Sequence, residues 1–269
     1  MVFVLDEVPG KRLSIAAEGT PILTYCYGDS AYPPYFHPLY APNGQVITEG
    51  ADAGQRYAPG ICFTFGTVNG ETGVSGEVKR EVLAREHFPW KPAVPEETSL
   101  TFEIATRWHI PEPLLVETCT ATVYPRQTHV QVINVAVALH APSRPLAFGG
   151  DIGLGYHAAE MEYRKAVEAS GRIGASEVNG HLSAWSTLGG IATDTAVGVA
   201  IFPHPENGET RFRAEDVSAG FLFAHTMPFT VGAGATRTLR YRVLIYLGDV
   251  FTVDIWDYHQ DYIKTDKNA

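Results

Sequence analysis

The sequence predicts an all-β protein, a large two-sheet antiparallel β-sandwich with a short C-terminal helix. Three observations carry this. Short alternating or β-branched apolar runs, bounded by Gly or Pro, recur along most of the 269 residues. No linker, repeat or low-complexity tract divides the chain, so residues 1–269 are expected to form a single β-sandwich domain. Helical spacing is clear in one stretch only, and it comes last. Strands without covering helices bury their apolar faces against a second sheet, with a closed barrel as the competing solution.

The elements follow in order. Leu13 to Ala17, Ile22 to Tyr27 and Ile61 to Phe65 are short apolar runs that read as strands. Tyr35 to Tyr40 packs aromatic rings, one imidazole and a proline together, and the chain then turns at Asn43-Gly44. Lys91 to Glu97, with Pro92 and Pro95, reads as a loop. Phe102, Ile104 and Thr106 alternate with Glu103, Ala105 and Arg107, and Val116 to Val123 alternates likewise. These two runs predict a hairpin from Ser99 to Tyr124 with an irregular loop at Pro111-Glu112-Pro113. Val130 to Leu139 is apolar on both faces in its second half, which suits a central strand between two packed sheets. Val197 to Ile201 and Leu239 to Tyr246 are the late strands. From Val250, residues Phe251, Ile255, Tyr258 and Tyr262 fall on one helical face, with Asp254, Asp257 and Asp261 toward water.

Composition narrows the function classes. The formal net charge is -10, from 30 acidic and 20 basic residues, with no basic run. No nucleic-acid partner and no membrane-surface partner are therefore expected. No apolar run approaches the roughly 20 residues of a spanning helix, and the first residues lack the basic start of a signal peptide. Cys26, Cys62 and Cys119 are odd in number and widely spaced, which predicts three unpaired thiols in a reducing, cytoplasmic setting.

Ten histidines are present, none in HxH, HxxH or HExxH spacing, so no metal and no cofactor is read from the sequence. No GxSxG elbow occurs. The glycine-rich Gly149 to Gly155 lacks both the phosphate-loop lysine and a following helix pattern, and reads as turns and close backbone approach. Three places can present polar groups on β scaffolding. They are His37 with Tyr35 and Tyr40; Asp151 to Glu162, with Tyr156, His157, Glu160 and Glu162; and Ile201 to Asn207, where His204 stands between prolines. Within the second, His157 reads as an ordinary, partly exposed residue.

Several short pieces in order resemble a bacterial family labelled methane-oxygenase-like, or PmoA-like. They are Tyr35-Phe36-His37-Pro38-Leu39 with Pro42-Asn43-Gly44, Gly60-Ile61 with Gly66-Thr67-Val68-Asn69-Gly70, Ser176-Glu177 with Ala184-Trp185, Val199 to Asn207, Gly220 to Phe223, and Leu239 to Arg242 with Gly248-Asp249. The resemblance implies a β-sandwich like the galactose-mutarotase supersandwich and a role in carbohydrate processing. The family's histidine-rich segment before Gly-Ile is replaced here by Gly54-Gln55-Arg56-Tyr57-Ala58-Pro59.

The expectation is a carbohydrate-active protein working on a sugar, glycoside or oxidised sugar. His37 and His204, both where an apolar or aromatic run meets proline, are expected to share one pocket and transfer protons, since imidazole titrates near neutral pH. Tyr35 and Trp185 are expected to stack on the sugar, Arg56 and Tyr57 to contact it or a carboxylate, and Asn69 and Glu177 to orient it. The expected partner is a small-molecule carbohydrate, and homo-oligomerisation stays open. The replaced histidine segment favours an alternative, a non-catalytic sugar-binding or assembly protein. A metal-dependent oxygenase rests on the family label alone.

Overall fold

The computed structural model describes residues 2–28, 32–51, 57–72, 79–84, 99–110 and 112–265. The expected loop from Lys91 to Glu97 lies outside them. Two eight-stranded sheets and one four-stranded sheet hold the chain together, and every neighbouring pair of strands in the two large sheets is antiparallel. In spatial order the first sheet runs Phe3–Val8, Arg12–Ala17, Thr20–Cys26, Tyr35–Leu39, Ile61–Thr64, Ile152–His157, Phe221–Thr226 and Thr210–Glu215. The second runs Glu162–Glu168, Ser186–Ala192, Thr195–Pro203, Thr236–Leu247, Val130–His140, Glu112–Val123, Leu100–Ile110 and Lys79–Ala84. Among the described residues both orders are open, so the strands form a sandwich and not a closed barrel. A small sheet of Phe229–Val231, Leu146–Gly149, Thr67–Val68 and Glu71–Thr72, which sequence patterning did not suggest, adds to the rim.

Alternation sets what each sheet buries. On the first sheet Leu13, Ile15, Tyr25, Phe36, Ile61, Phe63, Leu154, Tyr156 and Leu222 point inward. On the second, Phe102, Ile104, Ala121, Val135, Val137, Val199, Ile201, Val243 and Ile245 face them. The Tyr25 ring lies 5.5 Å from that of Phe102, and Phe63 lies 6.5 Å from Tyr241, so aromatic contacts bridge the layers. A side chain one position away from these points out of the sandwich.

The second sheet's outer face is covered in part by the C-terminal helix, Ile255–Thr265. Ile255, His259 and Tyr262 are buried there against Phe202, Leu244 and Tyr246. This explains the two-sided apolarity of Val130–His140. Val130 and Val132 pack into this outer cluster while Ile133, Val135 and Val137 serve the inter-sheet core. The strand is therefore buried between a sheet and a helix at its first half, not between two sheets at its second. The helix also starts later than its spacing suggests: Phe251 is 70% exposed in the preceding turn, while Asp254, Asp257 and Asp261 face water as expected.

Candidate functional site

The register of the first sheet composes its outer face. Phe36 points into the core, so Tyr35 and His37 point outward. Tyr156 and Leu154 point inward, so His157, Gly155 and Gly153 point outward. Leu222 points inward, so Phe221, Phe223 and His225 point outward, and Arg211, Arg213 and Glu215 do the same on the edge strand. Phe36 pairs with Ile61 and Ile61 with Tyr156, so one residue on, His37 stands beside Gly60 and Gly60 beside His157. His157 in turn pairs with Phe221, and Phe221 with Glu215. One cross-strand row therefore reads His37, Gly60, His157, Phe221, Glu215. The two histidines flank a position with no side chain, at two strand spacings, roughly 10 Å between Cα atoms.

Gly60 is required there. Its φ is +61°, and a Cβ would come 2.1 Å from the Phe36 carbonyl oxygen. The segment Ile47 to Gly50 crosses the end of this row. Glu49 donates its N–H to the His157 carbonyl at 2.9 Å, and its own carbonyl accepts from Gly60 at 2.9 Å.

His37 Nδ1 is 3.0 Å from the Thr48 hydroxyl, and Gly50 lies against the opposite ring edge, where a Cβ would be 2.9 Å from Nε2. The His37–Pro38 peptide is cis. Burial lowers the His37 pKa, against the upward pull of the Glu49 carboxylate. His157 is buried, and its Nδ1 meets no hydrogen-bond partner. Burial lowers its pKa as well; Glu49 and the Ala219 carbonyl oppose this, and the Arg164 guanidinium adds to it. Both imidazoles are thus neutral near pH 7, and one carboxylate acts on both.

A cleft of about 380 Å³ opens beside the His157 position of this row, lined by Glu49, Tyr57, His157, Glu160, Arg164 and the Ser218–Ala219 turn; His37 lies along the row outside this lining. Tyr57 lies flat on Phe221, with ring centroids 3.9 Å apart and planes within 6°, and meets the His157 ring edge-on at 5.9 Å. Its hydroxyl donates to Glu215, which also accepts from Ser218. Arg164 donates to the Asp216, Val217 and Ser218 carbonyls at 3.3, 3.0 and 3.3 Å and so shapes the turn that forms the far wall. The cleft offers an aromatic surface, two carboxylates, a guanidinium and the His157 imidazole. That set suits a polar ring bearing several hydroxyls.

The residues named from the sequence divide clearly. His37 and Tyr57 belong to this face, and Arg56 lies outside the described residues. His204 does not join them. Ile201 points into the core, whereas Ala200 and Phe202 point to the outer face of the second sheet, and His204 continues their side. It caps a short 3-10 helix, Pro205–Asn207, by accepting the Glu206 N–H at 3.2 Å, and its ring meets Tyr262 edge-on at 5.5 Å. The His37–His204 pairing is therefore corrected: the two sit on outer faces of different sheets.

Trp185 is buried in the cluster beneath the C-terminal helix and presents no stacking face. Tyr35 is buried in the row beside His37, with Tyr32 edge-on at 6.4 Å. Asn69 is the first residue of an Asn-Gly hairpin turn, with φ +52°, and its side chain accepts from the Ala147 N–H at 2.8 Å. Glu177 is exposed on the single-turn helix Ala175–Val178, outside the cleft lining. What sequence reasoning undervalued is His157, with Glu49, Glu160 and Arg164. A signal existed for His157: in Gly153-Leu154-Gly155-Tyr156-His157 the strand alternation puts the histidine on a face whose other members are glycines.

The profile of a family of unknown function, DUF6807, matches residues 12–258. No curated protein matches the chain. Among solved structures, the chain is similar to a GH36 alpha-galactosidase of Geobacillus stearothermophilus, at 9% identity and a TM-score of 0.47, over 91% of this chain and 41% of that one. It is similar to a galactose mutarotase-like protein of Lactobacillus casei, at 9% identity and a TM-score of 0.42, over 91% and 100% of the two chains. A Glycoside Hydrolase Family 97 enzyme of Pseudoalteromonas shows 8% identity and a TM-score of 0.31, over 91% and 34%. The chain spans about two fifths of the alpha-galactosidase's length.

Proposed function

The chain belongs to DUF6807, a family of unknown function, and we propose that the outer face of its first sheet, from the cleft at His157 along the row to His37, binds a sugar ring and moves protons on it through these two histidines. The observation that carries this reading is the shared row: two imidazoles on one face, separated by Gly60, with Glu49 acting on both. Neutral imidazoles can give or take a proton near neutral pH without first being titrated. Tyr57 supplies an aromatic wall for the apolar side of a pyranose, and Glu49, Glu160 and Arg164 supply partners for its hydroxyls. Paired proton donors and acceptors around one ring fit an isomerisation, in which a proton leaves one atom and another returns elsewhere. The PmoA-like resemblance implies the same substrate class.

The test is a panel of aldoses, ketoses and uronic acids, followed by melting shift and by NMR of the sugars over time. At least one sugar should raise the melting temperature and be interconverted, and His157→Gln should slow the interconversion by about 10² to 10⁴. A panel that neither shifts melting nor changes composition would refute the reading.

A second reading, sugar binding without turnover, is favoured by one observation: His157 Nδ1 is enclosed and not open to a ligand. A melting shift with no turnover would select it. The oxygenase reading draws on the family label alone; among the described residues no group of three or more His, Cys, Asp or Glu is arranged to hold a metal.

A further inference from the structure

Thr48 is 2% exposed, and its hydroxyl has two partners. The oxygen accepts the Leu39 N–H at 3.0 Å, and it stands 3.0 Å from His37 Nδ1. With one lone pair given to Leu39, the hydroxyl proton still needs an acceptor, because an unpaired donor in a buried place is costly. His37 Nδ1 is the acceptor within reach. The opposite arrangement would aim two N–H groups at one oxygen and leave the hydroxyl proton with no partner.

We propose that Thr48 is a positioning residue that locks His37 in the tautomer protonated on Nε2, so that His37 meets its ligand as a hydrogen-bond donor. This rests on the reading of the cleft as a sugar site and adds a direction to it. Among the described residues Nε2 has no hydrogen-bond partner, whereas Nδ1 has Thr48. Gly50 contributes no side chain at that ring edge. A donor there suits an oxygen with lone pairs to offer, such as the ring oxygen of a pyranose or the carbonyl of its open-chain form. The proton-accepting role then falls to Glu49, which lines the cleft. A protonated His37 would carry a hydrogen on Nδ1 too, and the Thr48 hydroxyl would lose its acceptor. Thr48 therefore favours the neutral ring, in the same direction as burial, while Glu49 is the charged group that pulls the other way.

The experiment is long-range proton–nitrogen NMR on the full chain labelled with nitrogen-15 histidine, with His37 assigned by loss of its signals in His37→Gln. In the wild-type protein without ligand at pH 7.5, Nδ1 should resonate as an unprotonated ring nitrogen and Nε2 as a protonated one. Thr48→Val should scramble that pattern and raise the His37 pKa, and Thr48→Ser should preserve both. A wild-type Nδ1 that carries the proton would overturn the proposal, as would a Thr48→Val protein with the pattern unchanged. The wild-type spectrum decides by itself if Thr48→Val does not fold. No sugar is present in these measurements, so a failure here leaves the sugar reading untouched. A failure of the sugar panel leaves the tautomer assignment untouched.

Discussion

At the scale of single residues, three histidines show how one side-chain type is put to different uses. His204 accepts a backbone N–H at a helix start and packs against Tyr262. Its replacement by Gln should cost about 1 kcal/mol of stability and leave sugar binding unchanged, as thermal melting with and without ligand would show. His37 and His157 share one cross-strand row, and His157 lines the cleft beside it. For these, His→Gln should lower turnover by about 10² to 10⁴ while the melting temperature stays nearly constant. If His204→Gln reduces turnover as strongly as His157→Gln, the assignment of roles is wrong. The sequence drew attention to His37 through its aromatic and proline context. It misled on His204, because a histidine between prolines looks the same whether it caps a turn or faces a ligand. His157 was legible only through the facing of its strand, which needs the strand's inner and outer sides to be known.

At the scale of elements, the docking of the C-terminal helix depends on a buried cation. Arg242 is 3% exposed, donates to Asn134 at 2.9 Å and to Asp261 at 2.9 Å, and lies 4.9 Å from the Tyr262 ring centroid. Arg242→Ala should destabilise the protein by about 2 kcal/mol, since the Asn134 Oδ1 loses its donor and the outer cluster loses packing. The loss should appear as faster amide exchange in Ile255–Thr265 before the rest of the sandwich opens. Uniform exchange across the chain would contradict this. The helix and its polar face were readable from spacing. Its starting residue was not, because Phe251 continues the apolar period although the chain is still in the turn that follows the strand Thr236–Leu247. The small third sheet was unreadable for a related reason: strands of two to four residues are too short to show a period.

At the scale of the whole molecule, one buried cluster runs from Phe3 to Ile245 and draws on all three sheets. A single cooperative melting transition is expected, and two separated transitions would count against it. Acid should weaken the fold in two stages. Burial lowers the pKa values of His37, His157, His225 and His259, so the unfolded chain binds more protons than the folded one just below pH 6.5. Their contribution is complete above about pH 6.5 and fades as pH falls through their folded values. Burial pushes the Glu168 carboxyl up, but hydrogen bonds from Ser170, Ser183 and Arg172 prevail and hold it at about 2. A second loss should follow between the ordinary 4.5 and about 2. Chemical denaturation across pH would register both stages, and stability that rises on acidification from pH 7 to 5 would contradict the first. The two-sheet architecture was legible because alternation survives wherever one face is buried. Which strands become neighbours was not, since Tyr35–Leu39, Ile61–Thr64 and Ile152–His157 meet across long stretches of chain, and the row of His37, Gly60 and His157 exists only through that meeting. The most direct test of the shared site is therefore to follow the histidine ring signals by NMR while adding the sugar that most raises the melting temperature. The account predicts that His37 and His157 shift together, with one dissociation constant, while His204 stays still. A bound sugar that moves His204 and leaves His37 and His157 unchanged would contradict it.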